Sequence, residues 1–215
     1  MNKHYYLDLI GVNHFSQAST ADQIDDQSND VLNELKITTE DCNKCELASQ
    51  RKNIVFSSGA INAGLMIVGS PPNQEEDLSG TPFSGAQGAL LEKMLLAIDM
   101  SIQDVYITNI TKCSFGSKKI PTDIEIGNCN EYLMKQIELV KPRLILTLGI
   151  LSAQALLRSK KPLDELRVQE NCRVGSTPIV VSYHPIELAE DSENKRKAWE
   201  DLKKVKAFLV EQPSG

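Results

Sequence analysis

Four cysteines carry the strongest chemical signal in this chain. Cys42 and Cys45 form a C-x-x-C pair in CNKCEL, Cys113 follows in TNITKC, and Cys129 stands further on as a single residue. A lone C-x-x-C has three ordinary readings: half of a zinc site, a redox pair, or coincidence. A structural zinc site more often shows a second close pair, and this sequence has none. One pair with two separated cysteines suits a four-thiolate iron–sulfur cubane. The fifth cysteine, Cys172 in NCRVG, has no partner in that scheme and reads as a small strand residue of a hairpin.

Other residues have the chemistry to handle a planar ligand. Phe83 sits in Gly80-Thr81-Pro82-Phe83-Ser84-Gly85, a loop fixed by its glycines and proline. An aromatic ring held there either stacks on a base or fills a core. Asn109 closes a short apolar stretch. Its amide either caps a turn or pairs with a base edge, donating through one atom and accepting through the other. His184 precedes Pro185, while His4 and His14 lie near the N-terminus. A histidine donor can stabilise negative charge that builds on a leaving group. Glu75, Glu76 and Asp77 follow the loop Gly69-Ser70-Pro71-Pro72-Asn73, either as a solvated first helical turn or as the source of a catalytic carboxylate.

These residues need a frame to hold them. Short apolar runs at 65–68, 105–110, 144–148 and 178–183 read as buried strands. Leu90, Leu91, Met94, Leu95 and Ile98 recur at helical spacing and mark a helix over 87–99. Thr122 and Glu125 form a capping box, and the helix behind them should stop near Lys141-Pro142. Gly149 turns the third strand into a helix near 151–158, and Ala198, Leu202, Val205 and Leu209 line a last helix that starts near Ser192. Strand–helix alternation predicts an α/β fold, a three-layer α/β/α sandwich around a central, mostly parallel four-stranded sheet. The loops after 68, 110 and 183 follow strand C-termini, the edge at which open α/β sheets bind ligands.

The net charge of −6 argues against a nucleic-acid binder, but its distribution changes that reading. Eight of the 29 acidic residues and only two of the 23 basic ones fall within residues 1–41, so the remainder is formally neutral. We therefore expect two regions: an acidic, partly disordered leader over 1–41, with 16–30 as a linker, and a folded body over 42–215. No apolar run is long enough to span a bilayer, and MNKHYYLDLIG lacks the apolar core and cleavage site of a signal peptide. A monomer in the cytoplasm is the expectation, and in that reducing compartment five cysteines point to metal or redox chemistry rather than disulfides.

Taken in order, these segments resemble the family 4 uracil-DNA glycosylases. CNKCELASQR resembles the N-terminal cluster motif, LMIVGSPPNQEEDLSGTPFSGAQGALLEKML the first catalytic motif with the helix behind it, and VYITNITKC the uracil-reading strand. PTDIEIGNCNEYLMKQIELVKPRLILTLG is similar to the stretch with the fourth cysteine, VVSYHPIEL to the second catalytic motif, and KAWEDLKKV to the last helix. The likeness covers about residues 42–210. It implies a uracil-DNA glycosylase-like fold and a [4Fe–4S] cluster on Cys42, Cys45, Cys113 and Cys129. It also implies base excision of uracil from single- or double-stranded DNA. Gly69, Ser70, Pro71, Pro72, Phe83, Asn109 and His184 would bind uracil, with His184 stabilising the leaving anion.

Three departures from the family pattern bear on activity. Where members have Gly-Glu-Ala-Pro-Gly, this chain has Gly69-Ser70-Pro71-Pro72-Asn73, so Ser70 replaces a glutamate and Glu76 becomes the candidate acid for positioning water. After Cys113 the usual arginine and prolines are absent, leaving Lys118 and Lys119 to meet phosphate. After His184-Pro185 the chain is acidic through Glu187 and Glu190, and Leu188 is the candidate wedge into the base stack. Two alternatives follow from these departures. One is a catalytically weak protein of this fold that binds nucleic acid or a protein partner; the other is an iron–sulfur protein with a vestigial pocket.

Overall fold

A computed structural model of the protein describes residues 20–116, 120–189 and 191–211. Residues 16–19, His4, His14, Lys118, Lys119 and Glu190 lie outside the described residues. Six strands form one sheet: β1 (Ser58–Gly59), β2 (Leu65–Gly69), β3 (Tyr106–Asn109), β4 (Leu144–Leu148), β5 (Arg173–Val174) and β6 (Thr177–Ser182). Their order is β1-β3-β2-β4-β6-β5. The inner four, β3, β2, β4 and β6, are all parallel, and they are the four strands expected from the apolar runs. The two-residue antiparallel edge strands are β5, which follows Cys172 in the expected hairpin, and β1, which no apolar run marks. Two residues hold too few apolar side chains to mark a period.

β2 and β4 are buried along their whole length, as central strands covered on both faces must be. Period-two alternation sends Met66, Val68 and Ile145 into one apolar cluster and Leu65, Ile67, Leu144 and Leu146 into the other. The helices are α1 (Thr20–Glu40), α2 (Gln74–Ser79), α3 (Ala86–Leu96), α4 (Asp123–Val140), α5 (Ile150–Leu157), α6 (Leu163–Val168), α7 (Pro185–Leu188) and α8 (Ser192–Glu211). The first cluster draws Leu32 and Leu35 from α1, Leu133 and Ile137 from α4, and Ala153 and Leu156 from α5. The second draws Leu91 and Leu95 from α3 and Leu202 and Val205 from α8. The result is the expected α/β/α sandwich.

The N-terminal region differs from the sequence reading. Residues 20–30 belong to α1 and are not a structureless linker. Leu32, Leu35 and Thr39 are buried at helical spacing, and α1 packs on α4. The stripe is short, and Val31 and Ile37 point to solvent, so the apolar pattern by itself hides the docking. No helix among the described residues is long and apolar enough to cross a membrane.

Candidate functional site

Three loops leave the C-terminal edge of the parallel strands, and each brings one side chain to the same place. Gly69 ends β2 and pairs with Asn109 at the end of β3. A Cβ built on Gly69 would stand 2.6 Å from the Phe83 ring and 2.8 Å from Asn109 Oδ1. Only glycine lets the ring and the amide approach this backbone so closely. From Gly69 the chain runs through half-buried Ser70 and buried Pro71 and Pro72 to Asn73, which caps α2.

Glu76 organises this end of the site. It is 4 % exposed, and both carboxylate oxygens are engaged. Oε2 accepts from the Asn73 amide at 2.8 Å, completing a capping box. Oε1 accepts from the Phe83 backbone amide at 2.6 Å and from Asn109 Nδ2 at 3.2 Å. The expectation of a water-positioning acid therefore gives way to a different placement: the carboxylate faces inward and holds the Phe83 loop and the Asn109 amide. The α2 turn is not a solvated one throughout: it buries Glu76 and Asp77 while Glu75 stays exposed. Phe83 has φ +52°, a left-handed backbone uncommon for a bulky side chain, and the bond from its amide to Glu76 helps hold it there.

Asn109 is fully buried and, with Nδ2 given to Glu76, its Oδ1 has no partner. A buried amide oxygen without a hydrogen bond is costly, and it sits beside Gly69 and the Phe83 ring. The arrangement presents an acceptor of fixed orientation next to an aromatic face.

His184 approaches from β6. Its ring stacks on Phe83 with centroids 5.4 Å apart and planes 27° apart. It is the N-cap of α7: Nδ1 accepts from the Ile186 amide at 3.4 Å, and the His184 amide donates to Glu187 Oε2 at 2.7 Å. Burial pulls the imidazole down from 6.5 to about 4, so it is neutral at pH 7. With Nδ1 accepting, the ring proton belongs on Nε2, which leaves a neutral donor. Gly149, at φ +93°, sits between this histidine and the first loop; a Cβ there would lie 3.0 Å from Ser70 Oγ and 3.1 Å from His184 Cβ. Gly149 and Glu187 are site residues that sequence reasoning did not single out. The capping-box spacing of His184 and Glu187 was the available signal for the second.

Leu188 does not belong to the surface. It is 3 % exposed and packs in the second cluster, where α7 meets α3, so the wedge expected there is not available. The exposed apolar side chain on that turn is Ile186.

The four cysteines of the expected cluster line one cavity, together with Thr39, Lys112 and Tyr132. Cys42 follows α1, Cys45 caps the 3-10 turn Glu46–Ser49, Cys113 follows β3, and Cys129 lies on α4. The Lys112 amide donates to Cys129 Sγ at 3.2 Å, and Arg51 Nη1 donates to Cys113 Sγ at 3.5 Å. Burial pushes the Cys113 thiol up to about 11, with Arg51 opposing it. Cys172 is buried in the strand hairpin, apart from this cavity. Among the described residues no three such side chains are arranged to hold a single metal ion. A cubane makes a different demand, one thiolate at each of four irons, and four thiols converging on one cavity from three stretches of chain suit it.

The chain is also similar to known proteins. The family model described as the uracil DNA glycosylase superfamily matches residues 56–203. The type-4 uracil-DNA glycosylase of Pyrobaculum aerophilum is 37% identical over 164 residues, which cover 72% of this chain and 82% of that protein. The type-4 enzyme of Archaeoglobus fulgidus is 34% identical over 175 residues, covering 76% and 86%. That of Thermotoga maritima is 31% identical over 174 residues, covering 80% and 91%.

Proposed function

The chain belongs to the uracil DNA glycosylase superfamily, within its type-4 group, and from that premise we propose that it hydrolyses the N-glycosidic bond of uracil flipped out of DNA. The observation that carries this reading is the buried, unpartnered Oδ1 of Asn109, held in orientation by Glu76 beside the Phe83 ring. Uracil offers an N3–H donor and an O4 acceptor side by side. Oδ1 accepts the first, and the remaining N–H of the amide donates to the second. Cytosine offers the reverse pattern, so an amide that cannot turn over rejects it. Phe83 stacks on the base once it has left the helix.

Chemistry then falls to His184. As the bond from C1′ to N1 breaks, its electron pair goes to the uracil ring and charge gathers on O2. A neutral Nε2–H donates to that oxygen without a proton having to be transferred. Water adds to C1′, giving an abasic sugar, and the proton it loses balances the uracil anion. Ser70 Oγ is held only weakly, at 3.5 Å from the Leu148 carbonyl, and stands near His184 across Gly149. It is our candidate for holding the water. Glu76 acts as a positioning residue.

Cys42, Cys45, Cys113 and Cys129 would hold a [4Fe–4S] cluster, which when bound crosslinks the end of α1, the following turn, the β3 loop and α4. Lys118, Lys119 and the exposed Ile186 are our candidates for contact with the DNA, single- or double-stranded. The test is single-turnover cleavage of a uracil-containing oligonucleotide. Strand scission after alkaline treatment is expected with uracil and not with cytosine. No cleavage, and no preference for uracil in binding, would overturn the proposal.

A further inference from the structure

One side chain joins the thiolate cavity to the base-reading residue. Lys112 is 0 % exposed, and a buried ammonium is costly unless it is hydrogen-bonded and near opposite charge. Its Nζ donates to the Asn109 carbonyl at 2.9 Å and to Thr108 Oγ1 at 2.5 Å, and lies 6.0 Å from the centre of the Phe56 ring. Both hydrogen-bond acceptors are neutral. Lys112 lines the cavity of the four cysteines, and thiolates held in a cluster there would supply the negative charge that such an ammonium needs. Its own amide donates to Cys129 Sγ, so main chain and side chain of one residue face the two sites. Arg51 also meets a cysteine sulfur, but its other partners are the carbonyls of Glu40 and Cys42, away from the strand.

We infer that Lys112 is a positioning residue that answers the charge of the thiolate-held cluster and, through the Asn109 carbonyl, fixes the end of the uracil-reading strand. Uracil binding and cluster properties are then linked through this side chain. The inference rests on the iron–sulfur reading given above.

Wild type, Lys112→Met and Arg51→Gln, each purified anaerobically, decide it. Iron and sulfide content, the cluster midpoint potential, and affinity for an oligonucleotide carrying 2′-fluoro-2′-deoxyuridine, a poorly cleaved analogue, would be measured. Loss of a nearby positive charge disfavours the added electron, so both variants should have a lower potential. Only Lys112→Met should also bind the oligonucleotide more weakly, by about tenfold, the size of one charge-assisted hydrogen bond. A Lys112→Met protein that changes in only one of these properties, or in neither, overturns the link. Should that variant not fold, Thr108→Val removes one Nζ partner and keeps the charge. Affinity lowered about threefold then supports the inference, and unchanged affinity overturns it. Wild type without iron and sulfide would overturn the cluster assignment and this inference together, while leaving the glycosylase reading to its own assay.

Discussion

Residue by residue, the pocket works through orientation more than through charge. In the proposed reading Asn109 discriminates only if its amide is held, and Glu76 is the side chain bonded to it. Glu76→Ala should therefore cut single-turnover uracil cleavage by about 10- to 100-fold, the scale of a lost hydrogen bond to a charged group, and narrow the preference over cytosine. Cleavage with unchanged preference would assign the selectivity elsewhere. His184→Ala should lower the rate by about 10²–10³-fold, as loss of a donor to developing charge does. The imidazole should titrate with a midpoint near 4, followed by NMR on a background in which His4 and His14 are replaced by Gln. A midpoint between 6 and 7 would contradict the neutral donor. Because the folded value lies below the ordinary 6.5, this group's contribution to stability is full above that pH and is lost as pH falls toward 4. Ser70→Glu places a carboxylate near both the histidine and the reacting sugar. It should raise the single-turnover rate about tenfold and raise the His184 midpoint. A slower Ser70→Glu enzyme would show that a carboxylate cannot take over the water from the Ser70 hydroxyl.

Among the elements, α1 and α2 matter beyond their length. α2 spans only Gln74–Ser79, but its capping box places Glu76 under both Phe83 and Asn109. α1 delivers Cys42 to the cysteine-lined cavity and docks through Leu32 and Leu35 on the apolar cluster that contains Tyr132 and Leu133. Leu35→Ala should cost about 2–5 kcal/mol, the range for leucine truncation in a packed core, read as a lower urea midpoint at unchanged slope. Removal of residues 1–41 takes away that anchor. A truncated protein as stable as the full chain would show that α1 contributes nothing to the core.

At the scale of the whole molecule, much of the frame was legible in the sequence. All four parallel strands were legible because central parallel strands are continuously apolar, as 65–68 and 144–148 are. The α4 cap and its stop at Lys141 were legible because both depend on near neighbours. Local pattern and motif order thus determined the sandwich and which edge of its sheet carries Gly69, Asn109 and His184. Only the tertiary structure decided the rest, since it depends on partners distant along the chain. Glu76 has acidic neighbours in sequence, but in space its partners include Phe83 and Asn109, which turn a candidate acid into a brace. Leu188 follows a motif that suggested a wedge, but α3 lies against it and buries it. α1 has too few apolar residues to declare itself, and α4 supplies the surface that makes those few sufficient. Lys112 reads as an ordinary lysine before Cys113, and only folding sets its ammonium against the Asn109 carbonyl. Periodicity records how a segment meets solvent, whereas a buried polar side chain takes its role from the groups that packing brings to it.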